Sequence, residues 1–300
     1  MSLGKVFQIG TKGLKIPAVG LGTWQSAPGE VANAVKVAIQ AGYRHIDCAA
    51  IYGNEGEVGQ GIKAGGVARD QLFITSKLWN SEHHPDRVGP ALDKTLSDLG
   101  LDHLDLYLMH WPVAFGEGKT SEGKPNIDWD LTNDVSPTWA AMEKLVESGK
   151  VKEIGISNFT IPKMEKLLEK AKIKPAVNQV ELNLQCAQPE LVAWAAKNDI
   201  LLEAYSPLGS TGAPQLEDSV VKEIAKAHNT QPANVLISWQ VARGIVCLPK
   251  SVTPERIRSN FEDIELSKEE VAKLEERAAS FGTKRTVDPS EAWGVKIWED

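Results

Sequence analysis

Gly20-Leu21-Gly22-Thr23-Trp24-Gln25 is the first point where an apolar run of the chain turns towards helix-forming sequence. In an open, doubly wound α/β sheet this turn carries G-x-G-x-x-G, whose glycines let a pyrophosphate approach the backbone at a helix N-terminus. The third glycine is missing, because that position holds Gln25, and the next cluster, Gly56, Gly59 and Gly61, has the wrong order. A chain that keeps alternating strand and helix without that fingerprint is better read as a closed barrel. Apolar runs recur at Ala18–Leu21, His45–Ile46, Leu72–Thr75, Leu104–Met109, Glu153–Ile156, Ala176–Val180, Leu201–Ala204 and Ile245–Leu248. Helical-period segments separate them at Glu30–Gln40, Glu55–Lys63, Pro85–Leu99, Pro137–Ser148, Pro162–Lys172 and Pro189–Asn198. The pair Ser219–His228 and Gln231–Ala242 precedes the last run, and Pro254–Phe261 follows it. Strand then helix, eight times, predicts an α/β fold of the (β/α)8 barrel type.

Outward from that pattern, Phe7–Ile9 and Leu14–Ile16 flank Gly10-Thr11-Lys12-Gly13 and read as an N-terminal β-hairpin. Ser267–Ser280 has the period of an extra amphipathic helix, and an irregular tail carrying Trp293 and Trp298 follows it. The stretch from about Pro112 to Ser136 reads as irregular, and a loop that long in a compact domain is usually functional. No shift in composition divides the chain, so residues 1–300 are expected to form one barrel domain.

Composition narrows the function. With 42% apolar and 24% charged residues, the chain of 300 is ordinary globular material, which excludes disorder and fibrous folds. Its 33 basic and 40 acidic residues give a net charge of −7 with no basic block, so nucleic acid is not an expected partner. Cys48, Cys186 and Cys247 have no paired spacing and imply a reducing compartment rather than a disulfide framework. No apolar run reaches the ~20 residues of a membrane span, and Met1–Val6 lacks a secretory pattern. A soluble, cytoplasmic protein with no membrane partner is expected. The 9 Trp outnumber 6 Phe and 4 Tyr, and rings of that size suit the walls of a pocket.

Barrels collect function at the C-terminal ends of their strands. The polar residues closing the apolar runs are Asp47, Lys77, His110, Ser157-Asn158, Gln179 with Glu181, Tyr205-Ser206 and Lys250-Ser251. On one rim they surround one pocket, where a carboxylate, an ammonium and an imidazole must pair or shift their pKa values. Tyr52, in the loop after Asp47, adds a phenol whose pKa a nearby ammonium would lower. Each residue has a plainer role when taken alone: Asp47 as a turn cap, Lys77 as a solvated charge. His45 and Asp47, two apart on a strand, share a face and would suit a metal, but a catalytic metal needs about three protein ligands and no third stands nearby. No metal is therefore expected. His83-His84 reads as structural or solvent-exposed.

After the last strand, Thr253 and Pro254 suit an N-cap and first helical position. That leaves Lys250 and Arg256 unexplained: cations at a helix start oppose its dipole and call for an anion, such as a phosphorylated ligand.

At this point the chain resembles the aldo-keto reductase family over essentially its whole length. Gly42-Tyr43-Arg44-His45-Ile46-Asp47-Cys48-Ala49-Ala50-Ile51-Tyr52-Gly53-Asn54-Glu55 looks like the family's first signature, and Ile74-Thr75-Ser76-Lys77-Leu78-Trp79 carries its lysine. Asp105 through His110-Trp111-Pro112 matches the histidine motif, Gly155-Ile156-Ser157-Asn158-Phe159 the amide-binding one, and Leu248-Pro249-Lys250-Ser251 the last. The resemblance implies Asp47, Tyr52, Lys77 and His110 as a catalytic tetrad and NADP(H) as cofactor. It implies Ser157, Asn158 and Gln179 on the carboxamide, Tyr205 stacked on the nicotinamide, and Ser206, Leu208 and Ser210 along the pyrophosphate. Lys250, Ser251, Val252, Arg256 and Asn260 would hold the adenosine end and its 2′-phosphate, and Thr23 and Trp24 also fall to the cofactor. Trp24, Trp79, Trp111 and Trp298 would line the substrate pocket, Trp129, Trp293 and Trp298 would set specificity, and Trp139, Trp194 and Trp239 would pack helices.

The implied activity is NADPH-dependent reduction of aldehydes, including short sugars such as glyceraldehyde, and of some ketones, by a monomer with no partner beyond a small carbonyl substrate. The other reading is an NADPH-binding, redox-sensing module with little turnover. Two departures from the family stand out. Some relatives latch a loop over the pyrophosphate with an Asp shortly after the position of Ser210, where this chain reads Thr211-Gly212-Ala213-Pro214, with Glu217 and Asp218 further on. The tail, ending Ile297-Trp298-Glu299-Asp300, is shorter than the closing tails of many animal members and looks more like that of polyol- and glycerol-handling reductases. His110 in place of glutamate argues against the family's steroid double-bond reductases.

Overall fold

The structure, a computed structural model, describes residues 4–262 and 264–298. A hairpin, β1 (Val6–Ile9) and β2 (Leu14–Pro17), opens the chain. Barrel strands follow at β3 (Leu21–Gly22), β4 (His45–Asp47), β5 (Phe73–Leu78) and β6 (Leu104–Met109). Two further strands, β7 (Ala114–Lys119) and β8 (Pro125–Asp128), stand apart from the barrel. The barrel resumes at β9 (Val151–Ser157), β10 (Val177–Glu181), β11 (Leu201–Tyr205) and β12 (Val246–Cys247). Its eight strands run parallel in the order β12-β11-β10-β9-β6-β5-β4-β3. The sheet closes on itself: Cys247 N donates to Ala18 O at 2.8 Å, Gly20 N to Cys247 O at 2.9 Å and Gly22 N to Pro249 O at 3.1 Å. The first and last strands are shorter than their apolar runs because they meet only through these seam bonds.

Helices cover the outside and the hairpin covers one end. Ile9 and Ile16 of the hairpin pack with Phe73, Leu106, Val177 and Val246, which lie toward the strand starts, so the N-terminal mouth of the barrel is stoppered by apolar side chains. The opposite, C-terminal rim is left for ligands. Gly20 serves the interior rather than a phosphate: a Cβ there would stand 2.8 Å from His45 Cγ and Leu248 Cδ2, so glycine makes room for an imidazole inside the barrel. In the second cluster Gly59 and Gly61 have a packing role, where α2 (Glu55–Gly65) meets the helix Pro85–Leu99 and α1 (Val31–Ala41). A Cβ on Gly59 would meet Leu99 O at 2.3 Å, and one on Gly61 would meet Ala32 O at 2.5 Å, so these helices approach at backbone distance.

The Pro112–Ser136 stretch is not irregular as expected. It folds as the β7–β8 hairpin followed by a short helix, Trp129–Asn133, with Asp128 as N-cap accepting from Leu131 N at 3.0 Å. Its strands carry glycine and proline and few β-branched residues, so pairing rather than propensity holds them. The extra helix forms over Lys268–Ala279 behind a Ser267–Glu270 capping box. A short helical turn, Ser290–Trp293, lies in the tail, while Glu299 and Asp300 fall outside the described residues. No helix among the described residues is long and apolar enough to cross a membrane.

Candidate active site

The strand ends bring the charged groups together. Lys77, near the end of β5, is fully buried, and its Nζ donates to Asp47 Oδ1 at 2.8 Å and Oδ2 at 2.7 Å and to Cys48 O at 2.7 Å. A short 3-10 turn, Ala50–Tyr52, lifts the tyrosine over this pair, with Lys77 Nζ 5.2 Å from the ring centroid. His110 follows β6 directly; its backbone N donates to Leu78 O at 3.1 Å, and its ring meets that of Tyr52 edge-on at 5.9 Å. The Asp47 carboxylate is thus committed to Lys77 and to Gln179 Nε2 at 2.8 Å, and among the described residues no group of three or more His, Cys, Asp or Glu is placed to hold a metal.

Burial decides the protonation states. Desolvation alone would lower Lys77, but Asp47 and Tyr52 against it raise it, so the ammonium stays charged. Burial pushes Tyr52 up to about 12, with Lys77 pulling the other way. The lysine acts in the direction expected from sequence, yet loses to desolvation, and the phenol keeps its proton at neutral pH. Burial, then Lys77 and His83, hold His110 well below the ordinary imidazole range, so it is neutral.

Above these groups lies a cavity of about 990 Å3, at the upper end of the ~300–1,000 Å3 typical of small-molecule sites. Along one side, Ser157 Oγ donates to Gln179 O at 2.8 Å, Asn158 Nδ2 to His110 O at 3.0 Å and Tyr205 OH to Asn158 Oδ1 at 2.8 Å. Both hydrogens of the Gln179 amide point into the barrel, to Asp47 and Glu203, so its oxygen is the end left for a ligand. At the far end stand Lys250, Ser251, Arg256 and Asn260, and among the described residues neither Lys250 nor Arg256 has a carboxylate within ion-pair distance. The backbone is strained around the same cavity: Gln25, Asn158, Ser206, Ser210 and Ala213 all have positive φ and all line it. Cations without a carboxylate partner among the described residues stand at one end, with Lys250 Nζ donating to Gln25 O at 2.8 Å. With hydroxyl and amide groups further along and the Asp47–Lys77–Tyr52–His110 cluster at the other end, they suit an elongated, anionic, polar ligand.

The profile of the aldo/keto reductase family matches residues 9–279. The chain belongs to that family. Aldo-keto reductase family 1 member A1-A of Danio rerio is 47% identical, covering 96% of this chain and 94% of its own. Its Xenopus tropicalis counterpart, member A1, is 49% identical over 86% of this chain and 84% of its own. The solved aldose reductase of Schistosoma japonicum superposes with a TM-score of 0.89 at 38% identity, covering 98% of this chain and 97% of that one. NADPH-dependent carbonyl reduction is the general chemistry of aldo-keto reductases, and this one is an enzyme of that kind.

Within this aldo-keto reductase the expected site residues mostly share the cavity. Thr23, Trp24, Ser206, Leu208 and Ser210 line it, as do Trp79 and Trp111. Lys77 lies below its floor, fully buried. Two residues differ. Val252 packs against the main core instead of lining the cavity. Trp298 stands behind the wall, its ring 6.0 Å from Trp111 and covered by Arg285 at 4.0 Å, and Trp293 lines the cavity in its stead. The tail is held by Glu181, which accepts from Thr286 Oγ1 at 2.6 Å, Thr286 N at 3.0 Å and Val287 N at 3.0 Å. Asp218 is no latch: it caps the helix Ser219–Ala227 and holds Arg277 at 2.8 Å, while Glu217 pairs with Lys222. Thr211 Oγ1 instead reaches Gln25 Oε1 at 3.4 Å across the cavity mouth. Among the histidines, His83 is buried and His84 caps the helix Pro85–Leu99. Sequence reasoning missed Ile51, Gln25 and the tail residues Val287 and Pro289 on the lining, whereas Trp293, expected to set specificity, does line it. It also missed Glu203, whose inward orientation no local pattern announces.

Proposed function

We propose that this chain reduces aldehydes with NADPH, short sugars such as glyceraldehyde among them, and that Tyr52 donates the proton. The supporting observation is the buried Lys77–Asp47 pair directly beneath a protonated Tyr52 and beside a neutral His110 at the cavity floor. Bound there, the dihydronicotinamide would supply a hydride to the carbonyl carbon. Gln179 Oε1 with Ser157 and Asn158 would hold its carboxamide, and Lys250 and Arg256 its 2′-phosphate, which favours NADPH over NADH. His110 orients the carbonyl oxygen by hydrogen bonding and adds no charge. As negative charge develops on that oxygen, Tyr52 passes its proton over; an alkoxide is far more basic than a phenolate, so the transfer runs downhill even from a raised pKa. Lys77, held charged by Asp47, then faces the tyrosinate that forms. Trp79, Trp111 and Trp293 give the substrate end flat apolar walls, against which the C–H faces of a short sugar or an aromatic ring would lie.

The test is NADPH oxidation followed by absorbance, with glyceraldehyde and an aromatic aldehyde as substrates and NADH in parallel. Turnover with NADPH is expected, and the two aldehydes then rank the pocket. Tryptophan quenching by NADPH without turnover on either would favour the redox-sensing module instead.

A further inference from the structure

Directly below the Asp47–Lys77 pair the barrel holds a second polar layer that the reaction above does not use. Glu203 of β11 lies opposite Gln179 of β10 in the ladder and is fully buried. Its Oε2 accepts from Gln179 Nε2 at 2.8 Å, and the same nitrogen donates to Asp47 Oδ1 at 2.8 Å, so two carboxyl groups from opposite strands share one amide. Glu203 Oε1 has no hydrogen-bond partner, and His45 Nε2 stands 3.9 Å away, already engaged with Thr75 Oγ1 at 3.0 Å. The titratable groups facing Glu203 are His45 and Asp47 from β4 and Lys77 from β5. Lys77 is the one permanent cation among them, and Asp47 holds it with both oxygens. A second carboxylate here would be a buried anion without a counter-ion.

We propose that Glu203 is a positioning residue of the reductase site: as a neutral carboxylic acid it fixes the Gln179 amide on Asp47, and its ionisation above neutral pH slows carbonyl reduction. Burial, reinforced by Asp47, pushes Glu203 up to about 8, and burial takes His45 down to about 4, so neither is charged at pH 7. The ionisation is loss of one O–H proton to solvent, with no other bond changed. The anion left behind repels the Asp47 carboxylate across the shared Gln179 amide, which disturbs the pair that holds Lys77 beneath Tyr52. The kinetic consequence rests on the reductase reading above; the titration itself does not.

Glu203→Gln keeps an acceptor for Gln179 and cannot ionise. Because the folded-state pKa lies above the unfolded one, the wild type loses stability relative to this variant as pH rises from 5 to 8, by about tenfold in the folding equilibrium per pH unit. Thermal melts of both proteins across that range read it with no cofactor or substrate, so they answer even if no aldehyde turns over. In the kinetic arm, the alkaline fall of kcat for reduction moves up by at least one pH unit in the variant, which a merely space-filling role would not cause. Melting curves that stay parallel at every pH overturn the titration, and an unmoved kcat profile overturns the positioning role. Should the variant not fold, infrared difference spectra of the wild type serve instead. The protonated-carboxyl carbonyl band must bleach at the midpoint of the alkaline kcat limb, and midpoints more than one pH unit apart overturn the proposal.

Discussion

Tyr52 keeps its proton at neutral pH because desolvation outweighs the attraction of Lys77 for the phenolate. Under the proposed function, a phenol of that kind is inert in the resting site and donates when a stronger base forms beside it. Tyr52→Phe removes only the donor, so kcat should fall by about 10²–10⁴-fold while NADPH still quenches tryptophan fluorescence with unchanged affinity. Full turnover in this variant would move the donor role elsewhere. At the other end of the cavity, the exposed Arg256 has no carboxylate partner among the described residues and is poised for an anion. Arg256→Ala should weaken NADPH binding about tenfold or more, as expected for a charge-assisted bond, and leave NADH nearly unaffected. Equal weakening of both would show that Arg256 does not read the 2′-phosphate. Asp47, Lys77 and His110 were legible from sequence because they lie at or just past strand ends, which share a rim on a barrel, and Tyr52 and Arg256 follow in the segments that leave β4 and β12.

Among the elements, α2 shows how identical residues serve different ends. A Cβ on Gly56 would have Asp98 O as its nearest neighbour at 3.9 Å, whereas one on Gly59 would stand 2.3 Å from Leu99 O, which belongs to backbone and cannot swing aside. Gly56→Ala should therefore raise stability by up to about 1 kcal/mol through helix propensity. Gly59→Ala should lose about 1–3 kcal/mol, overpacking exceeding the propensity gain. Urea melts of the two variants check this pair, and equal shifts would mean the helices separate freely. The cluster that fails as a phosphate fingerprint in sequence is, in the fold, the surface on which one helix touches its neighbours. The β7–β8 hairpin is the converse: Gly116, Gly118, Gly123 and Pro125 hide it from any propensity count, and it exists through strand pairing.

For the molecule as a whole, the tryptophan wall of the cavity, proposed to face substrate, is assembled from distant parts of the chain. Glu181, at the end of β10, grips Thr286 and Val287, and through them carries Val287, Pro289 and Trp293 to the cavity. Trp293 packs edge-on against Trp79 at 5.9 Å and Trp111 at 5.2 Å, so the wall is continuous across three segments. Glu181→Gln keeps the shape and removes the charge that strengthens these bonds. KM for an aromatic aldehyde should rise several-fold in that variant while NADPH affinity stays constant, since the proposed cofactor end of the cavity lies at Lys250 and Arg256. A loss of NADPH affinity instead would show that the tail supports the whole cavity, not its substrate wall alone.

The amino-acid sequence by itself determined the alternation of strands and helices, the barrel it implies and the polar residue closing each strand, because periodicity and strand termini are local properties. Tertiary structure alone decided that Glu203 points inward, since a one-residue slip of β11 against β10 would turn it outward. It also decided that Trp293 rather than Trp298 faces the cavity, because an aperiodic tail takes its course from distant anchors such as Glu181. And it decided that Tyr52 stays protonated, because the balance between a lysine's attraction and desolvation depends on how much water the folded barrel excludes.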